Sequence, residues 1–385
     1  MSMIGNTALH FSEEQAMLLD VAREFCREQS PMSHVREQLE TERGYDQGTW
    51  QAMVELGWAG IALPEACGGS AMGVATVVPV VESMGRAMLG TPLLSSTLAG
   101  QLLQRAAGSS LAESLLAEIA GGTPATVALL DNADWGDETP SCSIDEKGCL
   151  QGEKKLVMDA GVASIFLVVL SRDGAPALAI VRSQQLPPGA IRPCTLIDQT
   201  RRAANVDFSG VTVDRDALIT GASVAGALRD LRLLGALLVA AEAAGSAASC
   251  LDTICEYLRT RKQFGKLIGS YQALKHPAVD ILTDVDSARS FVYHAASLVG
   301  DGPLDRDAEI ACRMAKAQAT DALEFAGDRA VQFHGGFGFT YECDAQLYLR
   351  RALWCQYQHG DAQHHATDET EQHLHTQVIH PHDLW

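Results

Sequence analysis

YLRTRKQFGKLIGSYQALKH, Tyr257 to His276, is the stretch on which the reading of this 385-residue sequence turns. A helix runs out near Arg259, a short connection places Arg259, Arg261 and Lys262 beside Phe264-Gly265, and a new helix starts near Ser270. The planar fork of Arg261 suits bidentate pairing with a pyrophosphate, and Phe264 offers an aromatic face to a nucleotide base. Arginines at helix ends are more often simply solvated. The neighbouring sequence must decide between these readings.

Helical periodicity extends on both sides of this segment, over Leu228 to Arg259, Gln272 to Val299 and Asp307 to Phe333. Upstream, from Gly121-Gly122-Thr123-Pro124, the period changes to short runs bounded by Asp, Gly and Pro turns: Thr126 to Leu130, Ile165 to Leu170, Ala177 to Val181 and Ala204 to Phe208. Runs of this kind predict a small antiparallel β domain. Further upstream Phe11, Gln15, Leu18, Leu19, Ala22, Phe25 and Cys26 recur at helix spacing, with Ser12 and Gln15 placed to form a capping box and Ser30-Pro31 ending the helix. More helical segments follow at Thr49 to Leu56, Val74 to Met84 and Leu111 to Ile119. The order helices, strands, helices defines an α+β chain. Its expected parts are residues 1–122, a helical domain; 123–222, the β domain; 223–365, a second helical domain; and 366–385, a polar His-rich tail.

Composition narrows the function. A hydrophobic fraction of 47% describes an ordinary globular chain, and a formal net charge of −19 repels phosphate backbones, which argues against a nucleic-acid partner. The ten cysteines form neither CxxC pairs nor a regular framework and read as reduced core thiols. Apolar stretches are interrupted by Gly, Asp, Glu or Arg before reaching membrane-spanning length, and the first residues carry neither a basic leader nor an apolar core, so a cytoplasmic location is expected. His364, His365, His373, His375, His380 and His382 crowd the C-terminal stretch, but their irregular spacing favours a frayed or partner-contacting tail over a metal site.

A second segment, AVQFHGGFGFTYECDAQLYLRRA from Ala330 to Ala352, puts Gly335, Gly336 and Gly338 in one turn, where positive φ and close backbone approach are open to a phosphate-bearing ligand. Together the two segments resemble the C-terminal signatures of the acyl-CoA dehydrogenase family, and LGWAGIALPEACGG and ESMGRAMLGTP, at Leu56 and Glu82, resemble its N-terminal domain. The resemblance implies the family fold, an N-terminal helical domain, a middle β domain and a C-terminal four-helix bundle that drives oligomerisation. It also implies FAD, an acyl-CoA substrate and an electron-transfer flavoprotein or similar acceptor. On this resemblance Arg261 takes the pyrophosphate of an FAD bound mainly by an adjacent subunit. Gln263, Phe264 and Gln272 line its adenosine side, and Gln332, Gly335 and Gly336 contact the same cofactor.

The sequence departs from the family where the chemistry is done. Members use a Glu to remove the α-proton of the thioester while a hydride passes to the flavin. Aligned on LRRALWCQYQHGD, that position falls at His359, with Asp361 two residues beyond it. The helical position used by a minority of members falls at or near Gly235, and Glu242, two turns on, reads as a packing residue. The flavin-holding Thr-Glu-Pro-Gly-rich loop reads TVALLDNADWGDETPS here, Thr126 to Ser141, and the Trp-Ile-Thr segment reads Leu156-Val157-Met158. These features point to a subunit without its own base that completes the FAD site of a homologous partner in an α2β2 assembly of the kind found in bacterial steroid breakdown. Three alternatives stay open: a self-sufficient homo-oligomeric dehydrogenase using Asp361 or His359, a flavin monooxygenase of the same fold, and a pure scaffold.

Overall fold

The computed structural model describes residues 13–106 and 110–367. The expected Ser12 capping box and the histidines beyond residue 367 lie outside them. Six helices come first: α1 (Glu13–Gln29), α2 (Met32–Leu39), α3 (Gln47–Glu55), α4 (Val77–Arg86), α5 (Leu93–Ala106) and α6 (Ser110–Ala120). Periodicity had marked neither α2 nor α5. In α5 nearly the whole circumference is buried, so no polar face alternates with the apolar one.

Nine short strands follow, β1 (Ala125–Ala128), β2 (Ser143–Ile144), β3 (Leu150–Gln151), β4 (Glu153–Met158), β5 (Ile165–Arg172), β6 (Ala175–Arg182), β7 (Ile191–Pro193), β8 (Ala203–Asp207) and β9 (Leu218–Ile219). They form a sheet ordered β3-β2-β5-β6-β9, with β1 also on β5, and a second sheet ordered β4-β8-β7. Pairing is mostly antiparallel, but β1 and β2 both join β5 in parallel, a feature that short strands cannot reveal in sequence. The unbroken apolar run Ile165 to Leu170 is explained by β5 being buried on both faces. Ile165, Leu167 and Val169 pack toward α5 and α6, while Phe166, Val168 and Leu170 enter the core between the sheets.

The second helical part consists of α7 (Ala222–Thr260), α8 (Gln272–Leu298), α9 (Arg306–Phe333), α10 (Ala345–Tyr357) and α11 (Ala362–Thr367), with a hairpin of β10 (Lys262–Gln263) and β11 (Lys266–Leu267) between α7 and α8. An 18-residue window of α7 is apolar enough to cross a membrane by length and composition, which the sequence reading missed, but 94% of that window is buried inside the protein. Small residues let α4 lie directly on α7. A Cβ at Gly85 or Gly245 would overlap the backbone of the opposite helix, and Ser246 Oγ donates to the Gly85 carbonyl at 2.9 Å. Glu82 on α4 accepts from Arg289 Nε on α8 at 2.8 Å and from the Tyr293 hydroxyl, tying the first helices to the bundle. This packing seats β1, β4 and the loop after β1 against α7 and α10, and the cavity considered next lies between them.

Candidate functional site

The first group of candidate residues lies at one end of the bundle. At the end of α7 the Arg261 amide donates to the Tyr257 carbonyl and the Arg261 carbonyl accepts from Ile268, both at 2.9 Å. Lys262 then pairs with Leu267 and Gln263 with Lys266, which leaves Phe264-Gly265 as a two-residue turn. Both turn residues have positive φ, 53° and 76°, the requirement of a tight hairpin whose twist matches its strands. For a bulky residue that conformation costs about 1–2 kcal/mol. Phe264 is nevertheless held there with 91% of its surface exposed. The hairpin was not expected, because two-residue strands leave no periodic signal.

The Gly-rich turn arrives at the same end. Tyr257 stacks on His334 with ring centroids 4.1 Å apart, so the residue just after α9 is fixed one turn before Arg261. Gly335 follows with φ 62°. Arg261, Gln263, Phe264, Gln272, Gln332, Gly335 and Gly336 are all exposed, and among the described residues the Arg261 guanidinium has no ion-pair partner. Phe337 and Phe339 stand out beside them, 49% and 74% exposed. These groups form an open surface that can meet a ligand presented from outside the chain, not an enclosed pocket.

The second group surrounds a cavity of about 80 Å³ between β1, β4, α5, α7 and α10. Thr126, Leu130, Leu156 and Met158, from the segments that the sequence reading aligned with the family's flavin-holding motifs, all line it, and so does His359. Two positions that the sequence reading aligned with the family's base, His359 and Gly235, meet here. The His359 ring packs on Gly235, where any Cβ would overlap it. On its other side the ring lies 4.5 Å from that of Trp135, at 44°. His359 has φ 57°, and its Nδ1 is shielded from solvent, with no hydrogen-bond partner among the described residues. Burial, reinforced by the cations Lys316 and Arg232 and by His365, pushes its pKa down to about 3. Such an imidazole is neutral near pH 7 and far too weakly basic to take an α-proton efficiently.

Lys316 on α9 fixes this loop. Its ammonium is fully buried and donates to the carbonyls of Gln356 at 3.1 Å and Gly360 at 2.8 Å. Desolvation lowers its pKa to about 8. Asp361 turns away from the cavity onto an outer cleft and accepts from the His364 amide at 2.7 Å, capping α11. Glu242 lines the cavity but is paired with Arg201 and, at 2.6 Å, with Arg351, which also binds Asp198 and Thr200. The remaining cavity carboxylate, Asp159, accepts from Ser95 Oγ at 2.6 Å, and burial raises its pKa. Sequence reasoning missed Trp135, Lys316 and the Arg351 network. The available signal was a lone cation on the buried stripe of α9 and a lone aromatic in an acidic loop. Among the described residues no group of three or more His, Cys, Asp or Glu could hold a metal ion.

Two family models match the chain: acyl-CoA dehydrogenase, N-terminal domain, over residues 12–123, and acyl-CoA dehydrogenase, C-terminal domain, over residues 232–368. A protein of Mycolicibacterium smegmatis described as acyl-CoA dehydrogenase IpdE2 is 30% identical over 354 residues, covering 91% of this chain and 94% of that protein. Cyclohex-1-ene-1-carbonyl-CoA dehydrogenase of Geobacter metallireducens is 27% identical over 371 residues, covering 92% and 96%. Among solved structures, a chain of the ChsE4–ChsE5 complex from Mycobacterium tuberculosis superposes with a TM-score of 0.84 at 25% identity, covering 96% of this chain and 99% of that one. The butyryl-CoA dehydrogenase of Megasphaera elsdenii shares the fold, with a TM-score of 0.81 at 20% identity, covering 95% and 99%. The fold, the paired C-terminal segments and these matches converge, and the chain belongs to the acyl-CoA dehydrogenase family, oxidoreductases acting on CH–CH bonds.

Proposed function

We propose that this chain is the subunit of a heteromeric FAD-dependent acyl-CoA dehydrogenase that lacks the catalytic Glu and completes the FAD site of a homologous partner. The observation that carries this is His359. On the alignment above it takes the place of the family's base, it packs against Gly235 and Trp135, and among the described residues no unengaged carboxylate lines the cavity.

The fit of the family's cofactor differs between the two sites. On the alignment above Leu156, Val157 and Met158 replace the hydroxyls and stacking surface that hold a flavin; Leu156 and Met158 line this chain's own cavity, and about 80 Å³ is too little for a fused ring system. At the end of the bundle the residues fit a nucleotide arriving from a neighbour. Arg261 presents donors for a pyrophosphate, Phe264 a face for the adenine, and Gly335-Gly336 allow close backbone approach, with Gln263, Gln272 and Gln332 around them. When bound, the flavin accepts the hydride, and this chain's part is to hold and orient it. The partner supplies the base and most of the isoalloxazine contacts, the assembly is α2β2, and reduced cofactor is reoxidised by an electron-transfer flavoprotein or similar acceptor. A solved neighbour that is a chain of a ChsE4–ChsE5 complex favours a hetero-oligomer over a homo-oligomer, and the resemblance set out above favours an acyl-CoA of the steroid-catabolic class.

The test is co-expression with a family member that retains its Glu. The complex should bind FAD and oxidise an acyl thioester, while this chain alone should remain nearly colourless. In the complex, Arg261→Ala should weaken FAD retention about 10- to 100-fold, the equivalent of a charge-assisted hydrogen bond of about 1.5–3 kcal/mol. Stoichiometric yellow cofactor in this chain alone, bleached by an acyl thioester, would overturn the proposal.

A further inference from the structure

We infer that Trp135 is a plug that closes this chain's own cavity to planar ring systems, flavin included, and that Arg232 is the latch holding it in place. The inference rests on the reading that this chain does not hold a flavin of its own, and it adds the physical reason.

The loop from Asp131 to Ser141 is polar and acidic, with Asp134, Asp137 and Glu138 exposed, yet its single aromatic side chain turns inward to line the cavity. There Trp135 lies against the His359 ring, between the outer cleft and a cavity of about 80 Å³ that both residues line. An apolar cavity of about 150 Å³ is the scale that admits one benzene ring. No three-ring system enters unless Trp135 moves.

The loop is pinned at its bases and its middle. Lys154, fully buried, donates to Asp131 Oδ2 at 2.8 Å and to the Leu129 carbonyl at 3.1 Å, and Asp131 accepts the amides of Ser141 and Cys142, each at 3.1 Å. Arg232, reaching out from α7, donates to the Trp135 carbonyl at 2.8 Å and pairs with Glu138 at 3.5 Å. Its side chain is only 17% exposed. A guanidinium withdrawn from water needs compensating partners, and this loop provides them.

The experiment uses the full chain and two probes, indole and FAD, measured by titration calorimetry and flavin fluorescence. Wild type should bind neither. Trp135→Ala, which deletes an indole from a partly exposed loop position, should gain a single indole site at least tenfold tighter than any wild-type binding. Arg232→Met keeps the plug but loosens the latch and should give a weaker site of the same kind, a readout that stands even if Trp135→Ala folds poorly. Folded variants that bind indole no better than wild type would overturn the plug alone and leave the proposed function intact. Stoichiometric FAD binding by wild type would overturn both.

Discussion

Lys316 offers the sharpest physical test, because among the described residues its ammonium is buried without a carboxylate partner and donates to the carbonyls of Gln356 and Gly360. A fall from the ordinary 10.5 to about 8 corresponds to about 3 kcal/mol against the charged form. The direction of the pH dependence follows. Below pH 8 the lysine is protonated whether the chain is folded or not, so the folded state bears the whole cost. Between about 8 and 10.5 the unfolded chain binds the additional proton, and stability rises with pH. Above that range both states are neutral and the cost is gone. Lys316→Met removes the titration. At pH 7.5 the variant regains about 3 kcal/mol of desolvation but loses two hydrogen bonds from a charged donor, about 1.5 kcal/mol or more each, so its net stability should lie within about 1 kcal/mol of wild type. At pH 10 wild type should be the more stable by about 2–3 kcal/mol. Urea unfolding of both proteins at pH 7.5, 9 and 10 measures this difference. Parallel stability profiles over that range would refute the assignment of Lys316 as a charged, carbonyl-bound anchor of the loop carrying His359.

Gly235→Ala should destabilise the chain by about 1–3 kcal/mol through overlap with the His359 ring, and adding His359→Ala should recover most of the loss. Additive effects in that double-mutant cycle would mean that the two residues do not share the site. Arg351→Met breaks buried pairs with Asp198 and Glu242 and should cost about 3–5 kcal/mol, whereas Arg261→Ala, on an exposed hairpin, should change stability by no more than about 0.5 kcal/mol. Comparable shifts of the urea midpoint in the two variants would contradict this division between a structural and a ligand-facing arginine.

The α+β class and the exposed Arg261 and Gly335 turns were legible in the sequence because each is a local property. Long helices announce themselves by period, and the Arg261 and Gly335 turns are spelled by contiguous residues whose φ angles and donor chemistry depend little on distant chain. That no Glu stands at the position aligned with the family's base is a statement of the same local kind. How His359 and Gly235 lie against each other, and against Trp135 and Lys316, was not legible. His359, Gly235, Trp135 and Lys316 come from the segment after α10, α7, the loop after β1 and α9, and only helix packing brings them together around the His359 loop. Asp361 shows the limit most directly. Its residue type and near-correct position allowed a base, but one backbone hydrogen bond turns it outward as a helix cap. Sequence determines which groups a chain owns. Whether a group faces substrate, solvent or another buried charge depends on contacts between segments far apart in the chain, and those are decided by the packed structure.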